Sequence, residues 1–408
     1  MALKYAWRDK SRCRMCHVCD EIIACPGEGV GQVEGCVGCG ACELACPNEA
    51  IQLKDRLGIM REIKIKVDRR VFHIPEGLTV LDALQYLGYK VSKYPGEGVL
   101  FAPCEVGGCY SCALKIDGAL RPACVTRVRD GMEVETSPSD REASRRIVEG
   151  WMCHTVGGVG TPWYLKNGKE YVEAAVFACG CNLRCPQCQN WEITYRGKGS
   201  ALTPEEAALK MTLMRRSCGV DRMAISGGES TLNRPWLIQY IEELRRLNPD
   251  GKARIHVDTN ASILTKDYID ELIEAGMTDV GPDLKGLRLE TFMRISGLKD
   301  RELAKKYHIT SWEAVRYLAD KYLGEVFIGV GIPYNKSLIS IDEVARMGEE
   351  IVKIDSELQV CVLDYRPEFR RRDIVRPRFE EMVRVWKTLK DAGLRTVICQ
   401  TERGHIGP

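Results

Sequence analysis

Fifteen of the 20 cysteines in this 408-residue chain fall in three groups, and their spacing constrains the fold more than any other feature. The groups occupy residues 13–46, 104–124 and 181–188. Within the runs the cysteines sit two or three residues apart, too close to pair with one another but well placed to converge on a metal. The chain is long enough to build apolar cores, so it has no need of a disulfide scaffold. Its first ten residues, Met-Ala-Leu-Lys-Tyr-Ala-Trp-Arg-Asp-Lys, lack a continuous apolar stretch, and no secretory signal is expected. A reduced, cytoplasmic iron–sulfur protein is therefore expected. Lys+Arg is 59 and Asp+Glu is 57, a net charge of +2. That balance offers no general positive field for nucleic acid, which is not expected as a partner. No run reaches the ~18 apolar residues of a spanning helix, so no membrane partner is expected either.

The first group reads Cys13-x2-Cys16-x2-Cys19-x5-Cys25-Pro26 and Cys36-x2-Cys39-x2-Cys42-x3-Cys46-Pro47. Three thiolates at this spacing wrap one corner of a [4Fe–4S] cube, and the cysteine before proline reaches the other cube. Cys13, Cys16, Cys19 and Cys46 are expected to hold one cluster, and Cys25, Cys36, Cys39 and Cys42 the second. The pattern resembles bacterial two-cluster ferredoxins. It departs from them in the five residues, rather than three, before Cys25.

The second group, Cys104-x4-Cys109-x2-Cys112-x11-Cys124, has plant-type [2Fe–2S] spacing with a distant fourth ligand. Residues 64–67 and 71–74 alternate as a hairpin, Thr79 to Leu87 reads as a helix, and residues 112–116 and 131–136 read as strands. The region resembles the β-grasp [2Fe–2S] domains of electron-input subunits, with Tyr110 where those domains usually carry glycine.

After residue 170, strand-like and helix-like segments alternate. Strands are expected at residues 174–178, 222–225, 255–258, 279–284, 326–332, 360–363 and 396–399. Thr203-Pro204, Thr310 with Glu313 and Ser340 with Glu343 read as helix starts, and Gly276 and Gly393 as stops. Such alternation implies parallel strands with helical crossovers and chemistry at the strands' C-terminal ends. The expected architecture is α/β, a partial TIM-type (β/α) barrel preceded by two small α+β ferredoxin-type domains. The ranges are 1–58, 59–137, a linker at 138–170 and the barrel at 171–408. Within the linker a helical piece is expected at 140–150 and a mobile turn at 157–162.

The third group, Cys181-x3-Cys185-x2-Cys188, follows the first barrel strand. Three ligands leave one iron of a cube open, as a catalytic site requires. Ser226-Gly227-Gly228-Glu229 ends the second strand, Asp258-Thr259-Asn260 the third, and Asp283-Leu284-Lys285 the fourth. Together with Gly180-Cys-Asn-Leu-Arg-Cys-Pro-Gln-Cys-Gln-Asn190, these sets resemble the radical S-adenosylmethionine (SAM) superfamily, and within it the pyruvate formate-lyase activating enzyme group. The resemblance covers residues 170–408. It implies that Cys181, Cys185 and Cys188 bind the catalytic cluster and that Gly227, Gly228 and Glu229 hold the SAM amine. It also implies that Asp258, Thr259 and Asp283 bind a monovalent cation beside the SAM carboxylate. Ser230 and Ala261 replace the group's usual proline and glycine.

The implied enzyme is a radical SAM oxidoreductase of activating-enzyme type. It would use three [4Fe–4S] clusters, one [2Fe–2S] cluster and SAM, take electrons from a donor such as ferredoxin, and act on a protein, for example by making a glycyl radical. The alternatives are modification of a peptide, an RNA or a cofactor, or a non-catalytic electron-transfer subunit. Cys179 reads as a small buried hydrophobe, and Cys153, Cys218, Cys361 and Cys399 as core or linker thiols. His256 reads as a packed core histidine. The arginines at 366, 370, 371, 372, 376 and 378 form either a solvated face or a docking surface for an acidic partner.

Overall fold

A computed structural model describes residues 3–27, 29–30, 35–56, 61–137, 144–156, 161–165 and 171–408. The chain divides into two compact units. The first comprises Met1–Val148, Ala178–Asn182 and Asn190–Thr203, and the second Glu149–Phe177, Leu183–Gln189 and Pro204–Pro408.

In the first unit, the strand Lys4–Arg8 pairs antiparallel with Ile51–Asp55, and short helices at Val18–Glu21 and Ala41–Ala45 lie between them in sequence. A five-stranded sheet follows, in the order Arg70–Pro75, Glu62–Val67, Met132–Glu135, Ala113–Ile116, Ala119–Pro122. The strand Glu62–Val67 alternates Ile63, Ile65 and Val67 inward with polar residues outward, the period-2 pattern of a half-buried strand. The helix Val80–Tyr86 starts where the sequence places it. Thr79 accepts from the Asp82 amide at 3.0 Å while the Asp82 carboxylate reaches back to Thr79.

The second unit carries the long sheet. Its strands are β1 (Tyr171–Ala178), β2 (Arg222–Gly227), β3 (Arg254–Thr259), β4 (Asp279–Pro282), β5 (Phe327–Tyr334), β6 (Gln359–Asp364) and β7 (Val397–Thr401), adjacent in that order. All seven coincide with the strands expected from sequence to within a few residues. From β2 to β7 the pairs are parallel, and Gly404–Ile406 adds an antiparallel edge to β7. Among the described residues the ladder stays open, so the architecture is an α/β partial barrel. Helices at Pro204–Cys218, Arg234–Leu247, Lys266–Ala275, Arg301–Tyr322, Ile341–Ile354 and Phe379–Asp391 supply the crossovers. The central strands are buried along nearly their whole length, as parallel strands covered on both faces must be.

Three local expectations are corrected. Thr310 and Glu313 do not start a helix. They lie inside Arg301–Tyr322, where the Thr310 hydroxyl donates to the Lys306 carbonyl at 2.9 Å, and Asp300 is the true cap. The helical piece expected at 140–150 is instead the strand Arg146–Val156, whose Arg146 and Ile147 pair antiparallel with Leu202 and Ala201. Its Ile147-Val148 pair favours the pleated chain. Cys153 and Cys218 are not separate thiols but form a disulfide, with Cα atoms 5.7 Å apart. Residues 138–143, 157–160 and 166–170 of the expected linker lie outside the described residues.

Candidate active site

Polar side chains of the second unit stand at the C-terminal ends of β2, β3 and β4, where the sequence places them, and also at the end of β6, where it does not. Glu229, just past β2, is buried, and its carboxylate accepts four hydrogen bonds. Two come from Thr231, from its amide at 3.0 Å and its hydroxyl at 2.6 Å. The Thr259 hydroxyl donates at 2.6 Å and the Asn260 amide at 2.7 Å. A carboxylate has about four acceptor sites, so Glu229 ties the end of β2 to the end of β3. Burial pushes its carboxyl up, against the pull of these donors. The Ser230 hydroxyl donates to the Asp258 carbonyl, a second tie between the same strands. Serine at this position thus replaces proline with a hydrogen bond.

Asp258 and His256 stand two residues apart on β3, hence on one face, with Nε2 2.7 Å from the carboxylate. Burial raises the Asp258 carboxyl, but His256 and Arg222 more than offset it, and the group lies below its ordinary value. His256 is buried as expected, yet it is a partner of a site residue and not mere packing. Asp283 and Lys285 repeat the i, i+2 arrangement after β4. The Lys285 ammonium lies 3.1 Å from the Asp283 carboxylate. Burial disfavours the Lys285 charge, but Asp283, Tyr365 and Cys185 hold its pKa well above the ordinary value. Burial likewise pushes the Cys185 thiol up to about 12, with Lys285 opposing, and raises the Tyr365 phenol. Lys285 and Tyr365 are the residues the sequence reading left unassigned. The signal for Lys285 was its two-residue offset from Asp283, whereas Tyr365 arrives from β6 and had none.

The loop carrying Cys185 and Cys188 is held by backbone. The Arg184 amide donates to Ser296 at 2.7 Å, and the Gln187 amide side chain to Ile295 at 2.8 Å. The amides of Arg370 and Arg371 both donate to the Pro186 carbonyl, at 3.0 and 3.1 Å. Arg376 pairs at 2.7 Å with buried Asp364, at the end of β6. Part of the arginine run is therefore spent on positioning the cysteine loop and the end of β6.

In the first unit, Cys13, Cys16, Cys19, Cys42 and Cys46 line one cavity of about 190 Å³. Cys25, Cys36, Cys39 and Cys42 line a second. Each cavity thus gathers the four cysteines that spacing assigns to one cube, and Cys42 borders both. Donors point at the sulfurs: the Ala6 amide at Cys36 and the Ala50 amide at Cys46, both 3.3 Å, and the Arg8 guanidinium at Cys19, also 3.3 Å. Such donors suit thiolates bound to iron and tune a cluster's potential. Replacing Arg8 by Gln removes a positive charge that favours the reduced cluster, so a downward shift of the first cubane's midpoint is expected in a redox titration. An unchanged or raised midpoint would show that Arg8 does not tune it. Cys104, Cys109, Cys112 and Cys124 are all buried free thiols, with the Cys104 and Cys109 sulfurs 3.1 Å apart and Cys124 within hydrogen-bonding reach of both Cys104 and Cys112. Four thiols meeting in one dry pocket fit a small cluster.

Residues 175–345 match the family model of the radical SAM superfamily, residues 60–139 that of a 2Fe–2S iron-sulfur cluster binding domain, and residues 33–52 that of a 4Fe–4S binding domain. Residues 175–345 are thus a radical SAM domain, with 2Fe–2S and 4Fe–4S binding domains N-terminal to it. Among curated proteins it is 43% identical over 65 residues to an uncharacterized iron–sulfur protein of Methanococcus maripaludis, covering 16% of this chain and 12% of that one. It is 30% identical over 117 residues to a GTP 3′,8-cyclase of Rhodopirellula baltica, covering 28% and 32%. The chain thus spans about a third or less of the relatives it matches. The crystal structure of Streptococcus suis SuiB bound to S-adenosylmethionine aligns with 53% of this chain and 43% of its own, at 15% identity and a TM-score of 0.39. No helix among the described residues is long and apolar enough to cross a membrane.

Proposed function

We propose that this chain cleaves SAM reductively to methionine and a 5′-deoxyadenosyl radical, which abstracts hydrogen from a protein, with a glycyl radical as the favoured product. The observation that carries the reading is the Lys285–Asp283 pair, 3.1 Å apart, whose Asp283 amide donates at 2.9 Å to the carbonyl of Thr259, the residue tied to Glu229. A [4Fe–4S] cluster on Cys181, Cys185 and Cys188 would supply one electron and an open iron. Lys285, oriented by Asp283 at 3.1 Å, would offer a positive charge to the SAM carboxylate. Glu229 fixes the end of β2 to the end of β3, and Gly227, Gly228 and Glu229 would hold the SAM amine. Asp258, Thr259 and Asp283 would take a monovalent cation. The Thr259 hydroxyl already serves Glu229 and the Ala261 amide, so its carbonyl or a rearranged side chain would be needed.

Anaerobic incubation with SAM and dithionite tests the reading: 5′-deoxyadenosine and methionine are the expected products, and their absence would reduce the chain to an electron-transfer protein. Freeze-quench spectroscopy with a candidate glycine-bearing partner then distinguishes a glycyl radical from modification of a peptide, RNA or cofactor. Asp258→Ala and Asp283→Ala should each weaken SAM binding about tenfold, ~1.4 kcal/mol, at unchanged iron content. Equal affinity in both variants would make them structural acids.

The reductant we propose is an acidic ferredoxin. Cys16 is exposed, and the exposed Lys10, Arg12 and Arg14 flank it in sequence. Charge reversal at Arg12 and Arg14 should slow reduction by ferredoxin and flatten its salt dependence.

A further inference from the structure

Three glycines of the first unit bring its cysteine-bearing segments into close contact. Gly180, between Cys179 and Cys181, has φ +86°, and a Cβ there would lie 3.0 Å from the Cys109 Cβ and 3.1 Å from the Cys104 Cβ. Gly108, inside the [2Fe–2S] ligand loop, meets the same segment from the other side. A Cβ on Gly108 would lie 2.9 Å from the Cys179 Cβ. Ile147 stitches the two together. Its amide donates to the Gly108 carbonyl at 3.2 Å, and its carbonyl accepts from the Cys179 amide at 3.0 Å. The guanidinium of buried Arg146 reaches the Cys179 carbonyl at 3.3 Å. The segment that carries Cys181 thus rests directly on two ligands of the [2Fe–2S] site.

The third glycine continues the chain of contact. A Cβ on Gly197 would lie 1.9 Å from the Val106 carbonyl oxygen and 3.4 Å from the Cβ of Ala24, the residue before Cys25. The Gly197 and Lys198 amides donate to the Ile22 carbonyl at 2.9 and 3.1 Å. One tight strand of chain therefore touches both the [2Fe–2S] loop and the Cys25 arm of the second cubane site. The remaining site is the exposed one, with Cys16 in solvent and Met15 79% exposed. Close backbone contact of this kind is what glycine permits and any side chain would prevent.

We propose that the four sites form a linear relay in which electrons enter at the Cys13/Cys16/Cys19/Cys46 site, pass to the Cys25/Cys36/Cys39/Cys42 site, and reach the Cys181 segment only through the Cys104/Cys109/Cys112/Cys124 site. Each transfer moves one electron and no atoms. A reduced ferredoxin-class carrier is oxidised by one electron at the entry, and that electron is finally consumed in breaking the sulfonium bond of SAM. The proposal rests on the reading of the chain as a radical SAM enzyme, but its test does not depend on turnover.

The readout is electron paramagnetic resonance of the reduced [2Fe–2S] centre in the whole, reconstituted chain. Neighbouring reduced clusters broaden its signal and speed its relaxation. Removing the adjacent sites one at a time, by Cys185→Ala or by Cys36→Ala, is expected to lose part of that broadening. Removing the far site by Cys16→Ala is expected to leave it. Iron content confirms that each variant has lost one cluster. Should an alanine variant fail to fold, stepwise reduction of the wild-type chain reads the same order. The broadening must then appear as the SAM-responsive cluster is reduced, and that cluster is recognised because SAM alters its signal alone. Broadening that survives loss of the Cys185 site, or vanishes with loss of the Cys16 site, overturns the order. Intact coupling in a chain that makes no 5′-deoxyadenosine would overturn the proposed function and leave the order standing.

Discussion

Replacing Cys181, Cys185 and Cys188 together by alanine is expected to bring dithionite-driven SAM cleavage to background and to remove about four iron atoms from a proposed total of about 14. The loss follows from chemistry, because without three thiolates there is no open iron for SAM to occupy. The surrounding fold should survive. The loop is fixed by backbone bonds from Arg184, Arg370 and Arg371 that do not involve the thiols. Iron analysis, visible absorption and product chromatography on one preparation check all three expectations. Cleavage retained by the triple variant would move the reaction centre elsewhere in the chain.

Arg222→Ala should be the most destabilising single change in the second unit. Arg222 is fully buried at the start of β2. It bonds Glu173 on β1 and Thr161, and its Nε lies 3.9 Å from buried Asp279 on β4. Removing the cation leaves two buried carboxylates, Asp279 still paired to Arg254 at 2.7 Å and Glu173 facing only the more distant His154 at 3.6 Å among the described residues. An uncompensated buried charge typically costs about 3–5 kcal/mol. The urea midpoint should fall accordingly at an unchanged slope. A second consequence is chemical, since Arg222 also helps hold the Asp258 carboxyl below its ordinary value. Asp258 in the variant should protonate at higher pH, and SAM binding should weaken as pH falls through that higher value. An unfolding midpoint equal to that of the unaltered chain would show that Glu173 and Asp279 are neutralised by other means.

Much of the site was legible because its signals are local. A Cys-x2-Cys run brings its thiols together by covalent reach alone, and the proline after Cys25 and Cys46 marks where each arm turns to the other cube. Strand ends were legible through apolar runs closed by Gly-Gly-Glu, Asp-Thr-Asn and Asp-Leu-Lys. Where local signals competed, the reading failed. Thr310 with Glu313 has the form of a capping box, yet apolar contacts on both sides keep the helix Arg301–Tyr322 continuous. The stretch before Gly150 looked helical, but pairing with Ala201 and Leu202 draws it into a strand.

By itself, then, the amino-acid sequence determined the cysteine groups, the parallel α/β layout and the strand ends at β2, β3 and β4 on which the polar residues stand. Each depends on spacing within a few residues or on the two- and 3.6-residue periods. The tertiary structure decided what meets across elements. It set Tyr365 from β6 near Lys285 from β4, and put Arg370 and Arg371 on the Pro186 carbonyl. It closed Cys153 onto Cys218 across 65 residues and laid Gly180 against Cys104 and Cys109. These contacts join positions tens to hundreds of residues apart, and no local rule encodes them. They exist because the order and twist of the strands, and the absence of a side chain at three glycines, leave those atoms nowhere else to pack.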